Sequence, residues 1–135
     1  MNETWLGKEE PALAELTNRS LAKYKLLIDG ACEWEEFQQR LAFLSTLAAK
    51  YHSDIASVSV AALLQREKID AAIVGLSPQN YDAQNRMLTQ LPLIDLHDLQ
   101  EMDRWSCHLQ GDAYDEERNK DSIHAKIMKY NLNSG

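Results

Sequence analysis

The sequence predicts an α/β protein that is mostly helical and contains one short strand, at about residues 71–75. Several segments carry apolar residues at helical spacing, whereas the run from Ala71 to Gly75 is continuously apolar and ends in glycine. A run that is apolar on both faces is typical of a parallel strand buried inside an α/β architecture. A lone parallel strand has no neighbour for its hydrogen bonds. We therefore expect the chain to be part of a larger α/β architecture, with the neighbouring strands missing or supplied by another molecule.

Size and charge limit the functions that the chain can have. Its 135 residues fit one domain, and 44% apolar with 26% charged residues is ordinary for a globular protein. Acidic residues outnumber basic ones 21 to 14, for a net charge of −7. This balance argues against a sequence-independent nucleic-acid binder, which needs clustered Lys and Arg to neutralise phosphates.

The sequence predicts a cytoplasmic protein. No apolar stretch approaches the roughly 20 residues of a membrane helix, and the first residues lack the design of a secretory signal. Cys32 and Cys107 form no CxxC pair, which indicates two reduced thiols rather than a disulfide framework or a zinc site.

The N-terminal half is expected to contain three helices after a loop over residues 1–16. Thr17 or Asn18 can cap the first helix, and Gly30 can end it. Ser57 can cap a third, short helix over 58–65. The second helix shows the strongest periodicity and should face the core, with a stripe formed by Trp34, Phe37, Leu41, Leu44, Ala48 and Tyr51.

Two further helices follow the predicted strand. Ser77 and Pro78 are typical of a helix start, and that helix should run toward Thr89. Asp95 can cap a last helix that carries Leu96, Leu99, Met102 and Trp105 and ends near Cys107. Residues 110–135 form a polar, acidic tail.

The order of several short motifs resembles the C-terminal part of the aldo/keto reductase family, and the resemblance covers most of the chain. Its central parts are the amphipathic stretch from Trp34 to His52, the run from Val60 to Leu64, and Ala72 to Gly75. Further parts lie nearer the termini: Trp5 to Lys8, Glu10-Pro11, Arg19 to Leu21, Lys23-Tyr24, Gly111 to Tyr114, Glu117-Arg118 and Ile127 to Asn133.

The resemblance implies the C-terminal fragment of a (β/α)8 TIM barrel over residues 1–109, followed by a tail over 110–135. Members of the family reduce aldehydes or ketones with NADPH, using a Tyr proton donor beside a Lys, an Asp and a His. The family places these four residues on earlier strands, and none of the matching motifs is present here. Because a barrel active site is assembled from several strand ends, we expect the chain to be inactive alone.

By the same resemblance, part of an NADPH-binding site could remain at Gly75, Ser77 and either Gln84 or Asn85. Gly75 and Asn85 keep one family spacing, whereas matching Ser77-Pro78 to the family motif puts Gln84 at the Asn position. The Arg or Lys that often pairs with the 2′-phosphate is replaced by Leu76 and Ser77, which would weaken NADPH binding. Ser77 can equally be a plain helix cap.

Two hypotheses from different classes follow. In the first, the chain is the C-terminal segment of a reductase and at most a weak nicotinamide-nucleotide binder. In the second, it is a small, mostly helical interaction module derived from a reductase barrel, which uses on a partner the apolar face once covered by the rest of the barrel. The protein partner would be the missing half of the barrel or another protein. The four histidines show no metal-ligand spacing, so we expect no metal site.

Overall fold

The structure is a computed structural model of the chain. It describes residues 3–75, 89–105, 119, 121, 122 and 125. Within these residues lie two 3₁₀ turns, Glu3–Trp5 and Leu13–Glu15, and four α-helices: α1 (Arg19–Asp29), α2 (Trp34–Lys50), α3 (Ile55–Leu64) and α4 (Leu96–Arg104). None of the helices described is long and apolar enough to cross a membrane.

Side-chain caps fix where the helices begin. Asn18 accepts hydrogen bonds from the backbone of Ser20 and Leu21 at the start of α1, and Asp95 accepts one from Asp98 at the start of α4. The Asp95 cap is confirmed, and of the two predicted alternatives for the first helix, Thr17 and Asn18, the structure has Asn18. These side-chain oxygens satisfy backbone N–H groups that have no partner within the first turn of a helix.

Two predicted helix boundaries are wrong. The helix α3 begins at Ile55 rather than near residue 58, and its cap is Asp54, whose carboxylate accepts from the Ser57 backbone N–H at 2.8 Å. Ser57 is itself inside the helix because the aspartate three residues earlier already satisfies its N–H. The helix α4 was expected to carry Trp105 and to end near Cys107, but it stops at Arg104, with Trp105 as its C-cap.

The predicted α/β class, with a TIM-barrel fragment and a strand at 71–75, is contradicted. The described part of the chain is all-helical and contains no strand. Residues 71–75 are irregular, and the side chain of Ile73 is fully exposed. A strand needs a neighbouring strand to take its backbone hydrogen bonds, and the residues described here supply none.

The chain divides into two compact units, and the division falls within α2, between Gln38 and Gln39. The described residues of the first unit include 7–38, and those of the second include 39–105 and the turn at Glu3–Trp5. The domain boundary predicted at 109/110 lies outside the described residues. So does the helix predicted from Pro78 toward Thr89, apart from Thr89 itself, which is in a turn.

In the first unit, α1 is fixed to the preceding loop by a buried lysine. The Nζ atom of Lys25 lies 2.7 Å from Glu10 Oε1 and is also paired with Asp29 one turn later. Burial lowers the pKa of Lys25, but the hydrogen bonds to Asp29 and Glu10 outweigh it and raise that pKa above the ordinary value. Trp34 donates to the backbone carbonyl of Lys8 at 3.0 Å. These contacts hold the loop against α1 and the start of α2.

In the second unit, the core forms around α3. The helix α2 contributes two residues of the predicted stripe to this core, Leu41 and Ala48, which are 3% and 5% exposed. Ile94, from the segment before α4, is 2% exposed. The helix α3 itself contributes Ile55, Val58, Ala61 and Ala62 to the core.

Candidate functional site

The second unit contains an open apolar cavity of about 260 Å³ between α2, α3 and α4. Its lining comes from three successive regions of that unit. The residues from α2 are Arg40, Phe43 and Leu44, and those from α3 are Ser59, Ala62 and Leu63, with Arg66 just after it. Met102 comes from α4, and Trp105 follows that helix. Apolar side chains dominate the lining, so the cavity suits an apolar occupant.

Helical spacing explains why α2 contributes three neighbouring side chains. Arg40, Phe43 and Leu44 stand at positions i, i+3 and i+4, which share one face of a helix. The Phe43 ring stacks on the ring of Trp105, with 5.9 Å between the centroids and 23° between the planes. This aromatic pair joins α2 to the end of α4 at the edge of the cavity.

A polar cluster holds α4 against the end of α2. Lys50 Nζ lies 2.8 Å from Asp95 Oδ2 and 2.6 Å from Asp98 Oδ2. The Tyr51 hydroxyl donates to Asp98 Oδ2 at 2.6 Å and accepts from the Asp95 backbone N–H at 2.9 Å. Asp98 is only 6% exposed. A buried charge is costly unless it is paired, and the hydrogen bonds from Lys50 and Tyr51 compensate it.

The ionisation of this cluster follows from its hydrogen bonds. The Lys50 ammonium, and then the backbone N–H of Asp98, hold the pKa of Asp95 at about 2. Burial raises the pKa of Asp98, but hydrogen bonds from Lys50 and Tyr51 outweigh it and bring that pKa below the ordinary value. The pKa of Tyr51 is raised by burial and by its bond to Asp98. A tyrosine whose pKa is raised is a poorer proton donor, so the cluster is suited to holding helices together rather than to acid catalysis.

A second connection orders the segment that leads into α4. The side chain of Gln65, the C-cap of α3, accepts from the Ile94 backbone N–H and donates to its carbonyl, both at 2.8 Å. The glutamine therefore takes both backbone hydrogen bonds of one residue, as a neighbouring strand would. Ile94 is thereby held in the core while Leu93, beside it, is 83% exposed.

Asp95, His97 and Asp98 form the one group of candidate metal ligands in the part of the chain that the structure describes. Their ligand atoms lie within 4.8 Å of one another. Lys50 already sits between the two carboxylates, and the N-terminus of α4 adds a positive dipole end. A metal ion would have to displace the lysine and oppose the dipole, so the geometry disfavours one.

Of the four predicted cofactor-binding residues, only Gly75 lies within the described part of the chain. Gly75 is exposed, and a Cβ atom placed on it would meet nothing within 4 Å. Ser77, Gln84 and Asn85 lie outside the described residues. The NADPH site inferred from the reductase resemblance stays a prediction.

Comparison of the chain with protein-family models, with curated proteins and with solved structures finds no match. The reductase resemblance therefore depends on the motifs quoted from the sequence alone.

Sequence reasoning missed the cavity, although part of its signal was present. Phe43 and Leu47 form a second apolar line on α2 beside the predicted stripe, and α3 is apolar on all sides. A helix that is apolar all round is expected to be covered by several neighbours. The sequence could indicate that much of α3 is buried, but not that Ala56 and Leu63 are exposed or that a gap remains between Arg40 and Arg66.

Proposed function

We propose that the chain is a small helical protein-interaction module that binds an apolar side chain of a partner in the cavity between α2, α3 and α4. The observation that carries the proposal is the size and lining of that cavity. Cavities for drug-sized ligands span roughly 300–1,000 Å³. At about 260 Å³, this one suits one or two large side chains rather than a nucleotide cofactor.

The surroundings support an anchor pocket of the kind that dominates binding energy at protein interfaces. Such pockets are well packed and are lined by aromatic and aliphatic groups, with Arg often present. Here Phe43 and Trp105 form one wall, and the two hydrogen-bonded connections at Asp98 and Ile94 hold the helices in place. A cavity that is already formed costs a partner little ordering free energy.

A direct test uses a blocked peptide with a Leu-Phe centre flanked by Gln, followed through the Trp105 indole N–H signal in a ¹H–¹⁵N spectrum. Ala62→Leu fills the cavity from α3, and Ala56→Leu makes the same change at an exposed position of the same helix. We expect Ala62→Leu to weaken binding at least about tenfold, equal to about 1.4 kcal/mol, and Ala56→Leu to have no comparable effect.

Because overpacking at Ala62 can destabilise the fold, Ser59→Leu serves as a second cavity-filling variant, and circular dichroism checks that each variant is folded. Peptide binding that neither cavity variant weakens, or no perturbation of Trp105 by the peptide, would overturn the proposal.

The reductase resemblance supports a second proposal, in which the chain is an inactive segment of an NADP(H)-dependent carbonyl reductase in the cytoplasm. It would then work only with a polypeptide that carries the catalytic Tyr, Lys, Asp and His. The fully exposed side chain of Ile73, within the apolar segment Ala71 to Gly75, favours a partner that covers it. A thermal melt with and without NADPH tests the nucleotide-binding part, since a ligand that binds only the folded chain raises its melting temperature.

A further inference from the structure

The charges at the cavity identify the chemistry of its partner. Arg40 and Arg66 are the only charged residues in the lining, and both are positive. The chain as a whole has a net charge of −7, so the charge at the cavity is opposite to the average over the molecule. Two cations at the rim of an apolar cavity complement a carboxylate placed next to an apolar side chain.

Arg66 already binds a carboxylate of its own chain. Its guanidinium is paired with Asp103 on α4, and the two side chains are 43% and 51% exposed. Exposed ion pairs contribute little to stability, because solvent screens both charges. An incoming carboxylate can therefore replace Asp103 at small cost, and the guanidinium offers it two parallel N–H donors.

We infer that the cavity binds an acidic peptide segment, in which one or two apolar anchor side chains are flanked by Asp or Glu. The inference rests on the proposed interaction function and adds the charge of the partner. The anchor fills the space beside Phe43 and Trp105, while the flanking carboxylates bind Arg40 and Arg66. Asp103 competes with the partner for Arg66.

The test compares three blocked peptides that share a Leu-Phe centre and differ only in their flanks, which are Glu, Gln or Lys. Binding is again followed through the Trp105 indole signal, at low and at high salt. We expect the Glu peptide to bind about tenfold tighter than the Gln peptide and the Lys peptide to bind most weakly. Added salt should narrow these differences because it screens exposed charges.

Three variants test which residues cause the preference for the Glu peptide. Arg66→Gln should reduce the preference for the Glu peptide, and the double change Arg40→Gln with Arg66→Gln should remove it. Asp103→Asn should tighten binding of the Glu peptide by a few-fold, because it frees Arg66, and should leave the Gln peptide unchanged. Arg66→Gln alone is informative even if the double variant is poorly folded, since Arg66 is exposed.

The possible results separate the two ideas. Equal binding of the three peptides would overturn the acidic partner and leave an apolar docking cavity. Tightest binding of the Lys peptide, as the net charge of the chain alone would give, would also overturn it. Binding of none of the peptides would contradict the interaction function itself, and the inference with it.

Discussion

The helix α3 and the segment Ala71 to Gly75 have similar compositions but differ in how far their isoleucine side chains are buried. Both are dominated by Ala, Val, Ile and Leu, and both lie in the second unit. Ile55 in α3 is 4% exposed, whereas Ile73 is fully exposed. The same kind of side chain is thus buried in one region and surrounded by solvent in the other.

Backbone hydrogen bonding accounts for the difference. An α-helix satisfies its own N–H and C=O groups, so α3 can enter the core without any other polar partner. An extended segment can be buried only where another strand or side chain takes its hydrogen bonds. Gln65 does this for Ile94, and the buried position of Ile94 shows the effect. Apolar composition alone therefore does not decide burial.

The largest expected effect comes from truncating the same residue type in the two regions. Ile55→Ala should lower the free energy of unfolding by about 2–5 kcal/mol, because it removes buried methyl groups and leaves a cavity. Ile73→Ala should change it by less than about 0.5 kcal/mol, as exposed substitutions do. Urea unfolding of the two variants measures both values. Similar losses would mean that the two regions do not differ in burial.

The polar cluster that holds α4 against α2 gives the next effect. Asp98→Asn should cost about 1.5 kcal/mol at pH 7, because Asp98 accepts hydrogen bonds from Lys50 and Tyr51. The pKa of Asp98 is lower in the folded chain than its ordinary value. Its contribution is therefore complete above about pH 4 and is lost as the pH falls through the folded-state pKa.

The measurement is the free energy of unfolding of wild type and Asp98→Asn from pH 7 down to pH 2. The gap between the two curves should narrow as the pH falls below the ordinary aspartate range, because the pKa of Asp98 is lowered in the folded chain and its stabilising contribution declines there. Asp103→Asn, at an exposed ion pair, should cost at most about 1 kcal/mol. A gap for Asp98→Asn that stays constant to pH 2 would assign the loss to shape rather than to charge.

The smallest expected effect comes from comparing two aspartates, Asp54 at the start of α3 and Asp70 directly before residues 71–75. Asp54 caps α3 through the backbone N–H and the hydroxyl of Ser57, so Asp54→Ala should cost about 1 kcal/mol. Asp70 is exposed directly before Ala71, and Asp70→Ala should stay within about 0.5 kcal/mol. Thermal melts of both variants compare them. An equal loss of stability in Asp70→Ala would mean that Asp70 stabilises ordered structure at residues 71–75.

Periodicity and caps were sufficient to predict three of the described helices. Asp95 is identified as a cap, and Thr17 or Asn18 as alternatives, because a short polar side chain before an apolar period satisfies the first backbone N–H groups of a helix. The structure has Asn18 and Asp95 at these positions. The helix α2 followed from its apolar stripe. The error at Ser57 arose because Asp54 and Ser57 are both suitable capping residues, and sequence alone does not decide which lies outside the helix.

The candidate site was harder to predict because it depends on how three helices meet. Arg40 and Arg66 are 26 positions apart in the sequence, and no motif relates them. In the polar cluster, Lys50 and Tyr51 lie 48 and 47 positions from Asp98. The sequence patterns identify Tyr51 only as part of an apolar stripe and Asp95 only as a helix cap, so they do not predict that these residues meet. The contacts that form these sites are non-local, whereas the patterns used for prediction are local.

The sequence by itself determined the helices α1, α2 and α4, because their spacing and caps act within a few residues. The tertiary structure decided the rest. It buried one side of the helix α3 in the core, left Ile73 exposed, and brought two arginines to one apolar cavity. The physical reason is that burial depends on which partners are available for each backbone group and each apolar face, and those partners come from distant parts of the chain.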